Sequence, residues 1–179
     1  MSATMRVIGG EYRSRRLKTL PGAALRPTPD LLREALFDVL ASRVAGAVFL
    51  DGYAGSGAVG IEALSRGASH AIFIEKFPRA VHLIHENLAS LGLTGRATVV
   101  RGAVATRLAE HPAAIVFLDP PYPRIDEYRL ALDVLGAAPP PLVVVQHSKR
   151  QPIENEYGRL RRTRTLVHGD SALTFLVES

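Results

Sequence analysis

The sequence predicts an α/β protein on a doubly wound, mostly parallel, seven-stranded sheet, with a small β-hairpin extension at its amino-terminal end. Three observations predict it. Short, wholly apolar runs recur along the chain, as strands buried on both faces require. Segments of helical periodicity alternate with them. A glycine-rich turn joins the first of these strands to the next helix.

The elements follow in order. Residues 5–9 and 14–18 can pair as a basic hairpin around Gly9-Gly10-Glu11-Tyr12. Residues 19–28 read as a loop rich in Pro and Gly. Pro29 suits the first turn of a helix, with Thr28 as N-cap. That helix runs to Ser42, with Leu32, Leu36 and Val39 on one face. Ala47–Leu50 is the first buried strand, and Gly57–Arg66 a helix closed by Gly67. Ala71–Ile74 is the second strand. Arg79–Leu91 is helical, because Val81, Ile84, Leu88 and Leu91 recur at helical spacing. Ala97–Val100, Ile115–Leu118 and Leu142–Val145 are further strands, separated by helices over 103–110 and 125–135. Leu160–Val167 and Ala172–Val177 form a closing antiparallel hairpin around His168-Gly169-Asp170-Ser171.

The 179 residues make one domain, 1–179, in which 1–28 is a basic extension. The chain has no cysteine, which excludes disulfides and thiolate zinc sites. Met1–Arg6 lacks an apolar signal core, and no apolar run reaches the roughly 20 residues of a membrane helix. The expectation is a cytoplasmic protein with no membrane partner. The net charge of +5 is unevenly spread. Residues 1–26 carry +5, residues 27–148 carry −2, and residues 149–179 carry +2. The centre has the balance of an ordinary enzyme body. The ends have the charge of a polyanion grip, or of an arginine-rich solvated surface.

Gly55, Gly57 and Gly60 satisfy G-x-G-x-x-G between a strand and a helix. Alone, this loop fits a dinucleotide or S-adenosylmethionine. Asp51 separates the two. A carboxylate beside the loop repels a pyrophosphate, but it binds the ammonium of a sulfonium amino acid. Glu75, at the end of the second strand, is placed to accept ribose hydroxyls. Dinucleotide enzymes share such an acid, and singly Asp51 could cap a turn and Glu75 sit on the surface. Together, at consecutive strand ends, they point to a ligand site. Tyr53 borders the loop, to shape the pocket or to pack.

Asp119-Pro120-Pro121-Tyr122 follows the fourth strand, at the same crevice. An aromatic exocyclic amine is a weak nucleophile, since its lone pair is delocalised into the ring. Hydrogen bonds to Asp119 and to the Pro120 carbonyl localise that pair and aim it. The prolines stiffen the backbone and remove competing N–H donors. Tyr122 stacks on a flat base, which implies a base presented out of its helix. The bland alternative is turn chemistry. Asp51 and Glu75 favour the catalytic reading. His82 and His85, three apart on a helix, form no dense ligand set, and no metal is expected. Asn87 and Glu86 on that helix read as structural.

These residues resemble the RsmD-type 16S rRNA (guanine-N2)-methyltransferase family. The resemblance covers nearly the whole chain. It runs through Arg6-Val7-Ile8-Gly9-Gly10, Arg26-Pro27-Thr28, Arg33-Glu34-Ala35-Leu36-Phe37, Asp51 to Gly60 and Glu62 to Gly67. It ends in Asp119 to Tyr122 and Gly169-Asp170-Ser171. The amino-terminal segments are its more specific part.

The resemblance implies a Rossmann-like class I S-adenosylmethionine methyltransferase fold. It implies catalysis at Asp119, Pro120, Pro121 and Tyr122. Cofactor contacts would fall on Asp51, Tyr53, Ala54, Gly55, Ser56, Gly57, Glu75 and Lys76. Arg13, Arg15, Arg16, Arg26 and Thr28 would dock RNA near the crevice, with Arg33 and Glu34 holding that segment. The implied substrate is one guanine of small-subunit ribosomal RNA within a ribosome assembly intermediate, and the implied state is a monomer. One departure stands out. Ala103 occupies the place where relatives of the wider superfamily carry a polar side chain for the cofactor adenine.

Three other readings compete. Adenine-N6 methylation of DNA or RNA shares the Asp-Pro-Pro-Tyr chemistry, but a sequence-reading DNA enzyme needs a recognition domain. A nicotinamide oxidoreductase is opposed by Asp51 and by the lack of a hydride-transfer acid–base pair. A non-catalytic RNA-binding module is opposed by the intact Asp119–Tyr122 segment.

Overall fold

The computed structural model describes residues 5–21, 28–121 and 124–179. Arg26 and Tyr122, both anticipated site residues, lie outside the described residues.

Five parallel strands form the centre of the molecule: β3 (Val48–Gly52), β4 (His70–Glu75), β5 (Ala97–Arg101), β6 (Ile115–Leu118) and β7 (Leu142–Ser148). Three antiparallel strands extend the sheet: β8 (Glu156–Tyr157), β9 (Leu160–His168) and β10 (Ser171–Glu178). The order is β5-β4-β3-β6-β7-β10-β9-β8. The sheet therefore has eight strands, not the anticipated seven. The extra strand is two residues long, too short to leave a periodic signal, and pairs only with Leu160 and Arg161.

The chain leaves β3 in one direction to β4 and β5, then returns to the other side of β3 for β6 and β7. The switch point lies between β3 and β6, where open α/β sheets form their ligand crevice.

Period-two alternation divides the strand side chains between two cores. Phe49, Phe73, Phe117 and Val144 join the core that includes α1 (Asp30–Leu40), α2 (Ala58–Ser65) and α3 (Pro78–Ser90). Leu50, Ile74, Leu118 and Val145 join the opposite core, with α4 (Val104–Arg107) and α5 (Ile125–Ala137). Both faces are covered, which explains why the parallel strands are continuously apolar.

The amino-terminal hairpin is present but shorter than anticipated. Its ladder is β1 (Met5–Arg6) against β2 (Arg16–Leu17), extended by Val7 N–H donating to Arg15 O at 2.9 Å. Thr28 does not cap α1. The N-cap is Pro29, with no side-chain hydrogen bond, and Thr28 is buried instead. Residues 103–110 are split between α4 and a 3₁₀ turn over Leu108–Glu110.

Candidate active site

The site begins with strand ends. Asp51 lies two residues beyond Phe49, Glu75 two beyond Phe73, and Asp119 two beyond Phe117, so all three continue the α1–α3 face of the sheet. Their strands β4, β3 and β6 are adjacent and parallel. Three carboxylates therefore crowd the carboxyl edge of the sheet at its switch point.

Their environments differ. Asp51 is almost fully buried at 2% exposure, and its Oδ2 accepts the Gly60 N–H at 2.9 Å. Burial pushes its carboxyl well above the usual carboxylate range; the Gly60 N–H opposes this, and the charges of Asp119 and Glu75 add to it. Glu75 is also buried. Its Oε2 accepts the Gly55 N–H at 2.9 Å and its Oε1 the Phe77 N–H at 3.0 Å. Glu75 thus braces the glycine loop and the segment after β4 together. Asp119 is half-buried, and among the described residues nothing donates a hydrogen bond to its carboxylate. Burial pushes that carboxyl up to about 7.

The glycines of the loop have separate reasons. Gly57 has φ +82°, a left-handed conformation that precedes α2 and that other residues adopt only under strain. A Cβ on Gly60 would run into the buried Phe73 ring, so this glycine lets α2 lie against β4. The N–H groups of the loop point inward: Ala54 N–H donates to Ile74 O at 3.2 Å and Gly57 N–H to Ala54 O at 2.8 Å. Ser56 is half-buried and Lys76 exposed beside the Phe77 ring. Tyr53 has φ +61° and donates its hydroxyl to Glu127 Oε2 at 3.0 Å. It thereby ties the loop to α5, a partnership with no sequence signal across 74 residues.

The hairpin is fastened beside the loop. Glu62, wholly buried on α2, accepts Ile8 N–H at 2.8 Å and Gly9 N–H at 2.9 Å. Ser65 Oγ donates to Gly9 O at 2.6 Å and accepts the Tyr12 N–H. Asn87 accepts the Lys18 N–H at 2.8 Å and donates to both Lys18 O and Ser56 O at 3.0 Å. Asn87 is thus structural, joining the hairpin to the glycine loop. Arg33, fully buried, donates to Arg6 O and Asp30 at 2.8 Å each, whereas Glu34 is exposed. Arg13, Arg15 and Arg16 are all exposed, and among the described residues only the Arg15 side chain of the three is engaged, donating to Ser90 O at 3.1 Å.

Sequence reasoning missed two residues beside Asp119. Tyr128 of α5, buried, places its hydroxyl 3.4 Å from the carbonyl oxygens of both Pro120 and Gln146, which share its one proton. Gln146 lies two residues beyond Val144, on the same face as the three carboxylates. A signal existed for Gln146: it is the first polar residue after an apolar strand, as Asp51, Glu75 and Asp119 are.

Ala103 is exposed at the start of α4 and presents no polar side chain. His82 and His85 lie on α3, His82 at 3.8 Å from Glu86. Among the described residues no His, Cys, Asp and Glu group has metal-binding spacing, and no helix is long and apolar enough to cross a membrane.

A clustered trio of carboxylates, two of which already hold the Gly55 and Gly60 amides, suits a cationic ligand and repels a phosphate. The donor set therefore fits a sulfonium-bearing amino acid better than a dinucleotide.

Known proteins share this architecture. The family model described as "Conserved hypothetical protein 95" matches residues 5–177. YlbH of Bacillus subtilis is 36% identical over 181 residues, covering 92% of this chain and 94% of YlbH. "Ribosomal RNA small subunit methyltransferase D" of Escherichia coli is 44% identical over 125 residues, covering 69% of this chain and 63% of that protein. The solved structure of yhhF from Escherichia coli superposes with a TM-score of 0.87 at 32% identity, over 99% of both chains.

Proposed function

This chain belongs to the Conserved hypothetical protein 95 family, the RsmD-type methyltransferases, and on that premise we propose that it methylates the exocyclic N2 amine of a guanine in small-subunit ribosomal RNA, with S-adenosylmethionine as donor. The observation that carries the proposal is Asp119. It is a carboxylate without a partner among the described residues, set at the switch point beside a glycine loop and two further buried carboxylates.

Asp51, Glu75, Lys76 and the loop Tyr53–Gly57 would hold the cofactor. Each engaged carboxylate oxygen has a second lone pair, so Asp51 can still accept the ammonium and Glu75 the ribose hydroxyls. Ala103 leaves the adenine to packing and backbone groups. When bound, S-adenosylmethionine supplies an electrophilic methyl group on sulfur. Asp119 and the Pro120 carbonyl accept the two amine hydrogens and aim the nitrogen lone pair at that methyl group. Tyr128, donating to the Pro120 carbonyl, fixes its direction and leaves its second lone pair for the amine. The amine nitrogen gains the methyl carbon as the carbon–sulfur bond breaks, and the surplus amine proton passes to Asp119 or to water. Tyr122 stacks on the base. Arg13, Arg15, Arg16 and Arg26 dock the surrounding RNA, for which the buried Thr28 is not available, and the enzyme acts as a cytoplasmic monomer on an assembly intermediate.

Labelled S-adenosylmethionine and small ribosomal subunits from a strain lacking the gene test this reading. Mass spectrometry of the digested RNA should show N2-methylguanine. Label in N6-methyladenine, or none in RNA, would refute it.

A further inference from the structure

Gln146 has an unpartnered polar side chain at the candidate active site. The residue is 5% exposed, its Oε1 is buried without a hydrogen-bond partner, and its amide NH2 donates to no described residue. A buried amide is normally paired, and an unpaired one costs stability. Its neighbours along the sheet offer it no partner. On the β10 side it faces Leu173, which is apolar. On the β6 side the register pairs Val145 with Leu118, so the next residues, Gln146 and Asp119, come side by side. Both continue the same face of the sheet. The Tyr128 hydroxyl, 3.4 Å from both the Pro120 and Gln146 carbonyls, locks the two strand ends together. Adjacent strands lie about 4.8 Å apart, close enough for two side chains to address neighbouring groups on one base.

We propose that Gln146 selects guanine over adenine at this site, its amide oxygen accepting the base N1–H and its NH2 donating to O6 while Asp119 holds the N2 amine. The inference rests on the guanine-N2 reading and deepens it. The edge of guanine runs amine, N1–H donor, O6 acceptor. An unpaired amide has one acceptor end and one donor end, and guanine satisfies both in that order. The edge of adenine beside its amine runs N1 acceptor, then C2–H. One end of the amide then stays buried and unpaired. Sites built to hydrogen-bond a group discriminate strongly against its absence. The Asp-Pro-Pro-Tyr segment recognises only an amine, so the choice of base needs a residue such as this.

2-Aminopurine is the probe. It keeps the N2 amine but has an unprotonated N1 and no O6. Small subunits are reconstituted with guanine or 2-aminopurine at the modified position, and transfer is measured as kcat/KM. The wild-type enzyme should prefer guanine by about 100-fold. Gln146→Met, close in volume, should lose that factor on guanine and bring the two substrates within a few-fold of each other. A purely structural role for Gln146 lowers both rates alike and leaves the ratio intact, which overturns the inference. Absence of any preference in the wild-type enzyme also overturns it, whatever the fate of the variant. N2-methylguanine formed with a ratio indifferent to Gln146 sinks only this inference. N6-methyladenine as the wild-type product sinks the guanine reading with it.

Discussion

On the proposed reading, Asp119 concentrates the chemistry of this protein in one carboxyl group. Burial raises it to about 7, against about 3.9 for an unperturbed aspartate. The folded chain thus holds this proton more tightly than the unfolded chain, and the group erodes stability as pH climbs from the unfolded value through the folded one. As a hydrogen-bond acceptor for an amine in the proposed reaction, however, it is strongest when ionised. Single-turnover transfer should therefore rise with pH, with a midpoint at or below about 7, since a bound sulfonium favours the charged form. A flat profile between pH 5.5 and 8 would contradict this. Asp119→Asn should cut transfer by about 100-fold or more while calorimetry still detects cofactor binding. The same variant should gain steadily on wild type in melting temperature as pH rises from about 4 to 8, the window between the unfolded and folded values of the native carboxyl. Loss of cofactor binding in Asp119→Asn would show that Asp51 and Glu75 do not suffice.

The hairpin and α2 form the element whose placement matters most to the crevice. Glu62 is wholly buried and accepts three donors: Ile8 N–H, Gly9 N–H and Arg66 Nε at 2.8 Å. It also lies 3.9 Å from the buried Arg33 guanidinium, whose Nε and Nη1 have no hydrogen-bond partner. Burial lowers the Arg33 pKa, and the Glu62 and Asp30 charges oppose that shift. Removing Glu62 takes one of two counter-charges from a buried cation, leaving it Asp30, and deprives two amides of their acceptor. Glu62→Ala should destabilise the protein by about 3–5 kcal/mol in denaturant unfolding. Amide exchange at Ile8 and Gly9 should accelerate toward that of an open loop. Unchanged exchange would mean that Ser65 and Asn87 hold the hairpin alone.

At the scale of the whole molecule, charge is segregated. The carboxylates gather at the sheet's carboxyl edge, and Arg13, Arg15 and Arg16 project from the hairpin, whose turn is fastened to Ser65 and Ser90, the last residues of α2 and α3. On the proposed reading, a cationic cofactor and a polyanionic substrate would occupy separate regions of opposite charge. Replacing all three arginines by Ala should weaken binding to small subunits and flatten the plot of log affinity against log salt by a slope of about 2–3. An unaltered slope would make these arginines solvated surface with no part in docking.

The sequence by itself determined the parallel sheet and the edge at which its carboxylates gather. Continuous apolar runs need two covered faces, and a charged residue directly after such a run has nowhere to go but the strand's carboxyl end. Asp51, Glu75 and Asp119 were legible for that reason, and Gln146 carried the same signal. The tertiary structure alone decided the eighth strand, the Tyr53–Glu127 bond, the Tyr128 bridge and the grip of Glu62 on the hairpin. These contacts join residues far apart in the chain, and a two-residue strand or a single long-range hydrogen bond leaves no period behind. Sequence periodicity records which face a residue buries. It does not record which distant partner meets it there, and at this site the partners set the direction of the Pro120 carbonyl and leave the Gln146 amide unpaired.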